Sequence, residues 1–243
     1  MTLMRFGPHC VFENSIVNRE AISLQTAELV KHLLKKHGTL FSEELGIDLA
    51  QNTPSHLFRW LCAALLLSAR IPHGTAMKAA KALADAGMTT ARTMAEATWK
   101  DRVGVLAEAG YGRFDESTSR MLGETARLIE REYGGDLRQL REDANRDPKA
   151  ERAALKACKG IGDMGVDIFL REIQQVWTEH YPYIDEKART SARQLGLPET
   201  VEELAKLVDQ GRFATLVAAL VRADFIGTTA RDLGLHEPEA SER

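Results

Sequence analysis

The sequence predicts an all-α fold. Apolar residues recur at i, i+3, i+4 and i+7 through most of the chain, and no stretch alternates apolar and polar residues as a half-buried strand would. The breaks between periodic segments carry Gly, Pro or a capping Ser, Thr or Asp. A first helix is expected from about Ala21 to His37, burying Ile22, Leu29, Val30, Leu33 and Leu34. Pro54 to Ala69 is apolar on nearly every side and reads as the central helix of the core. Thr75 is the expected cap of the next helix, with Met77, Ala80, Leu83 and Ala84 turned inward. Shorter helices follow at Ala91–Ala97 and Trp99–Ala109, then an amphipathic one at Ser117–Tyr133 stopped by Gly134-Gly135. Asp147-Pro148 supplies a cap and a first-turn proline for another. Thr200 and Glu203 form a capping box before Leu204, Leu207 and Val208, and Phe213–Phe225 is the last helix before a frayed tail from Pro238 to Arg243.

Composition narrows the function. The 243 residues are enough to bury a large core, and 44% hydrophobic with 28% charged residues is ordinary for a globular protein. Leu61–Ala69 is too short an apolar run to cross a membrane, and Met1 to Asn14 carries no signal-peptide core. Cys10, Cys62 and Cys158 lie far apart with no Cys-x-x-Cys spacing, and His32 and His37 are five apart, so neither a disulfide framework nor a metal site is expected. A reducing, cytoplasmic setting fits. The net charge of −3 counts against nucleic-acid binding, yet residues 61–84 hold Arg70, Lys78 and Lys81 and no acid. A local basic face would give modest, salt-dependent affinity for DNA.

The most informative stretch is Lys156 to Leu170. A Gly160-Ile161-Gly162 turn separates two helical patterns, the second with Val166, Phe169, Leu170, Ile173, Val176 and Trp177 on one face. Two glycines one residue apart permit a tight reversal, and the N–H groups opening the second helix suit a phosphate. The turn is followed by Tyr181-Pro182-Tyr183-Ile184-Asp185-Glu186-Lys187-Ala188-Arg189 and then by Leu195-Gly196-Leu197. Upstream, the Pro54–Arg70 helix ends Leu66-Leu67-Ser68-Ala69.

These segments, in this order from about residue 50 to 225, resemble the endonuclease III-like branch of the helix-hairpin-helix (HhH-GPD) DNA glycosylases. The resemblance implies two helical domains with a cleft between them. Residues 51–178 would form a six-helix domain containing the helix-hairpin-helix at about 149–178. Residues 1–50 and 179–243 would form a second helical domain carrying Asp185. The implied partner is double-stranded DNA and the implied reaction is base-excision repair, performed by a monomer in the cytoplasm, on the nucleoid if the source is bacterial.

The resemblance also assigns roles. Asp185 takes the place of the catalytic carboxylate, which stabilises charge on the sugar or activates water; taken by itself, an Asp there reads first as a helix cap, and the hairpin a helix away with the flanking Leu-Gly-Leu turns the reading toward catalysis. Bifunctional members have a Lys two residues after the second hairpin glycine. Here Met164 stands there, and a thioether cannot form a Schiff base, so a monofunctional enzyme without lyase activity is expected. Lys156, Lys159 and Lys187 lie near in sequence and read as solvated or phosphate-contacting. Lys159, Gly160, Ile161 and Gly162 are the expected DNA contacts of the hairpin, whose carbonyls hold a monovalent cation in the family. Asp163 suits the helix dipole but competes with a phosphate. Arg70 reads either as a side chain entering the duplex, with Ile71 as a wedge, or as an ordinary cation at a helix end. Tyr181 and Tyr183 are the expected pocket members, ahead of Trp60, Trp99 and Trp177. No cysteine follows Ile226-Gly227, so the family's iron–sulfur cluster is not expected, nor any other cofactor. The alternative is a non-catalytic DNA-binding helix-hairpin-helix protein.

Overall fold

The computed structural model describes residues 24–112 and 114–234; Cys10, Ile22 and the tail from Pro238 lie outside the described residues. Helix α1 covers 24–37 and buries Leu29, Val30, Leu33 and Leu34 as the periodicity predicts. A short α2 (Phe41–Glu44) and a 3₁₀ turn (Leu49–Gln51) lead into α3 (Pro54–Leu67). Thr53 caps α3 and Pro54 occupies its first turn, which needs no proline N–H. Leu57, Phe58 and every residue from Trp60 to Leu66 are buried, so α3 is the central helix. Its Trp60 indole donates to the Phe169 carbonyl at 3.1 Å.

Helix α4 (His73–Asp85) begins two residues before the expected Thr75 cap. Pro72 sets the start, its carbonyl accepting the N–H groups of Thr75 and Ala76. The buried face is Ala76, Ala79 and Leu83, with Met77 and Ala80 only half-buried, because alanines let α4 lie close against α3. Capped by Thr90 and Thr98, α5 (Ala91–Glu96) and α6 (Trp99–Glu108) pack on α7 (Asp115–Tyr133), which stops at Gly134 with φ of 60°. Helix α8 (Leu137–Asp143) was not expected. It buries only Leu137 and Leu140, too few to display a period.

Asp147 caps α9 (Pro148–Lys156) as predicted, accepting from the Ala150 N–H at 2.8 Å. After the glycine turn, α10 (Asp163–Ile173) runs between α3 and α13. It ends before Val176, although Trp177 is still fully buried. A 3₁₀ turn (Thr178–His180), α11 (Glu186–Gln194), α12 (Val201–Ala205) and α13 (Gln210–Ile226) complete the chain, with a 3₁₀ turn at Arg231–Leu233. The fold is all-α; among the described residues there is no strand and no helix long and apolar enough to cross a membrane.

The link from α10 to α11 matters for the site and is tied down by charge. Arg141 of α8 grips Glu179 with two bonds of 2.5 and 2.6 Å, and the pair is only 12% and 13% exposed. His180 lies 2.6 Å from the buried Glu151 of α9. Burial pushes the Glu151 carboxyl up, against its bond to His180. Against the cost of its own burial, the Arg141 fork holds Glu179 down at about 2. A depressed carboxyl contributes stability above its unfolded value of 4.5 and loses it as the pH falls toward 2. Glu179→Gln is therefore expected to cost on the order of 2 kcal/mol at neutral pH, with the gap from wild type closing on acidification from about pH 4.5. Urea unfolding of both proteins across that range checks it; a gap that does not change with pH would mean the pair contributes by packing alone.

Candidate functional site

One face of α10 builds the wall of a cleft of about 690 Å³. Met164, Asp167, Ile168 and Arg171 recur at helical spacing along that wall. Leu67, Ala69 and Ile71, at the end of α3, close one side. Asp185, Glu186 and Lys187 form the lip at the start of α11, and Phe41, His73 and Phe225 supply an aromatic wall. The His73 ring stacks on Phe225 at 4.7 Å and meets Phe41 edge-on at 5.0 Å. Burial, with the Arg222 charge nearby, pushes the His73 imidazole below its usual value, so the ring is a neutral surface at physiological pH.

Asp185 is 5% exposed and has both oxygens engaged. Its Oδ1 accepts the Ala188 N–H at 3.0 Å, which makes it the cap of α11, and its Oδ2 accepts from Arg171 Nε at 2.7 Å. Cap and cleft residue are thus one group. Arg171 is itself 6% exposed, and this buried pair fixes the lip of the cleft to its wall. Met164 stands at the rim, 62% exposed.

Asp167 carries a second fixed carboxylate. Its Oδ1 accepts the Tyr183 hydroxyl at 2.6 Å and lies 2.7 Å from an Arg152 nitrogen. Burial, then the bond to Asp167, raises the Tyr183 phenol, which stays a donor.

The turn places its residues in two directions. Ile161, expected as a DNA contact, is 4% exposed, and its N–H donates to the Cys158 carbonyl. It is a core plug, because an isoleucine beside two glycines is the one apolar anchor the turn has. Gly160 has φ of 87° and lies against Met121 and Leu65, while Gly162 and Asp163 face solvent. Lys159 is exposed, with its carbonyl accepting from Thr125 Oγ1 at 2.9 Å. Asp163 is ion-paired to Lys156 at 2.9 Å and to Arg152 at 3.2 Å, which holds its carboxyl below the usual range. Arg70 is exposed on the turn between the cleft residues Ala69 and Ile71.

Tyr181 and Tyr183, expected in the pocket, are not among the residues that line the cleft, although Tyr183 bonds to the cleft residue Asp167. Tyr181 packs edge-on against Phe213 at 5.5 Å. The Tyr183 backbone is bracketed by the Gln174 amide while its phenol is held by Asp167. Trp60 and Trp177 are fully buried. The aromatic wall, Arg171 and Asp167 were missed. Met164, Asp167, Ile168 and Arg171 share a helical face that the spacing displays; Phe41, His73 and Phe225 are distant in sequence and carry no such signal.

Among the described residues no group of three or more His, Cys, Asp or Glu is placed to hold a metal ion. Compared with known proteins, the chain matches no family model, no curated protein and no solved structure. The site stands on its own geometry.

That geometry separates the two hairpin glycines. A Cβ on Gly160 would lie 2.8 Å from Met121 Sδ and 3.1 Å from Met121 Cβ, at a φ that L-residues resist, whereas a Cβ on Gly162 meets nothing within 4 Å. Gly160→Ala should cost about 2–4 kcal/mol and Gly162→Ala, which only replaces the glycine N-cap of α10 by a poorer one, about 0.5–1 kcal/mol in chemical denaturation. Equal costs would contradict this account of the turn.

Proposed function

We propose that the protein is a monofunctional DNA glycosylase of base-excision repair, which flips a damaged or mispaired base into the cleft and hydrolyses its N-glycosidic bond. The observation that carries this reading is Asp185. It is a buried carboxylate, locked by a backbone N–H and by Arg171, on the lip of a cleft with an aromatic wall. A cleft of about 690 Å³ lies within the range of about 300–1,000 Å³ usual for small-molecule sites. A flipped base stacks on aromatic rings, as Phe41, His73 and Phe225 would allow. In this reading α9, the glycine turn and α10 act as the helix-hairpin-helix that grips the DNA backbone. Residues 51–178 and the flanking segments are the two helical bodies on either side of the cleft.

Cleavage of the glycosidic bond leaves positive charge on the sugar, and a carboxylate that is already desolvated and oriented stabilises it without reorganising. The side chain at the rim is Met164, which offers no amine for a covalent intermediate. Of the neighbouring lysines, Lys159 does not line the cleft, Lys156 is held by Asp163, and Lys187 on the cleft lip is held by Asp224. Water is the remaining nucleophile, and the product is an abasic site with both strands intact.

One observation favours the second reading, a non-catalytic DNA-binding helix-hairpin-helix protein. Arg171 neutralises Asp185 at 2.7 Å.

Labelled duplexes carrying uracil, mispaired thymine or adenine, oxidised pyrimidines, 8-oxoguanine or alkylated purines separate the two. Strand breaks are expected only after hot alkali, on one substrate class, and Asp185→Asn should lower the rate by about 10²–10⁴-fold. Breaks without alkali would overturn the argument from Met164. Salt-sensitive DNA binding with no base release from any duplex would favour the non-catalytic reading.

A further inference from the structure

We propose that Asp167 is a second catalytic carboxylate of this cleft, the group that takes the proton from the attacking water. The inference rests on the glycosylase reading and divides its chemistry between two residues. Asp185 is 4% exposed at its side chain and has one oxygen on the Ala188 N–H and the other on Arg171. A carboxylate so engaged is a fixed charge with little capacity to accept another proton donor. Asp167 differs in both respects. Its side chain is 29% exposed and lines the cleft, and its contacts with Tyr183 and Arg152 both fall on Oδ1. The contacts on Oδ1 hold the side-chain rotamer, and in this proposal Oδ2 is the atom offered to the cleft. That is the arrangement a general base needs, with one atom held and the other offered.

Helical spacing adds to the case. Asp167 is one turn beyond Met164 and one turn before Arg171 on the cleft wall, so a water bound by Oδ2 would lie between the rim and the Arg171–Asp185 pair. In the step itself the water oxygen bonds to C1′ of the flipped nucleotide. The C1′–N bond breaks and its electron pair leaves with the base, which takes a proton from solvent. The water proton passes to Asp167 Oδ2, and Asp185 supplies static negative charge to the sugar. Atoms and charge balance with water as the only co-reactant.

The test is single-turnover base release, on the substrate that wild type processes, by wild type, Asp167→Asn, Asp167→Ala and Asp185→Asn. Asn keeps an acceptor for Tyr183 and Arg152, so the fold should hold, which an unfolding curve verifies. Asp167→Asn is expected to slow release by about 10²–10⁴-fold. Its affinity for a duplex bearing a non-cleavable abasic analogue should stay within about threefold of wild type. Added formate should restore part of the rate to Asp167→Ala and none to Asp185→Asn. A wild-type rate for Asp167→Asn, with Asp185→Asn inactive, would overturn the division of labour while leaving the glycosylase reading intact. So would a change in which base is released with no loss of rate on the new one, since Asp167 would then read the base edge. A wild type that releases no base from any duplex would overturn both.

Discussion

The cleft depends on a carboxylate that never meets solvent. Glu172 of α10 is fully buried and accepts the backbone N–H groups of Phe41 and Ser42, each at 2.9 Å. Burial pushes its carboxyl up, opposed by the Ser42 and Phe41 bonds and the Arg171 charge. Charge-assisted bonds to the start of α2 offset the cost of burying the group and fix that short helix against α10. Phe41 thereby arrives at the cleft. The preceding residue points the other way. Consecutive helical positions lie about 100° apart, so Arg171 reaches across to Asp185 while Glu172 reaches back to α2. Two neighbouring side chains attach both lips to one wall.

This construction makes the site rigid and its parts interdependent. Removing one member of a buried pair leaves the other as an unpaired buried charge, at a cost of about 3–5 kcal/mol. The approach to α11 is held in the same way. Arg141–Glu179, Glu151–His180 and the Gln174 amide around Tyr183 secure the link before Asp185, so that carboxylate is placed by three anchors before its own cap bond forms. Precision of this kind is what a group acting on a developing charge requires.

What the sequence displayed was local. The Asp147-Pro148 start of α9, the glycine stop of α7, the buried α3 and the cap at Asp185 all follow from neighbours within one turn, and each is present. What it hid was tertiary. Thr75 has the chemistry of a cap, but Pro72 begins the helix first. Ile161 stands between two glycines that suggested a DNA contact, yet its apolar side chain is drawn into the core. Tyr181 and Tyr183 flank the turn into Asp185, but Tyr181 packs on Phe213 and Tyr183 stands behind Asp167, which takes the place at the cleft surface. The aromatic wall comes from residues 41, 73 and 225, which only the packing of α2, α4 and α13 brings together. Asp167 and Arg171 were within reach, since they share the Met164 face at helical spacing.

If the protein acts on DNA as proposed, the charge at the glycine turn bears on how an acidic chain would meet it. The first N–H groups of α10 have no acceptor within the helix, and Lys156 and Arg152 stand beside them. Asp163 pairs with Lys156 and, together with Asp167, with Arg152, and it sits favourably at the positive end of the dipole. It therefore occupies, from within the chain, the electrostatic position a phosphate would take. An incoming phosphate must share or displace that carboxylate, so part of its attraction is cancelled by the ion pairs it breaks. With a net charge of −3 there is no long-range field to make up the difference. On that proposal, affinity would have to come from short-range fit, from the exposed Gly162 that lets a backbone approach and from a base seated in the cleft. On the proposed glycosylase reading the protein would gain little from undamaged duplex and most from a nucleotide that leaves the stack easily, which would couple its discrimination to base flipping.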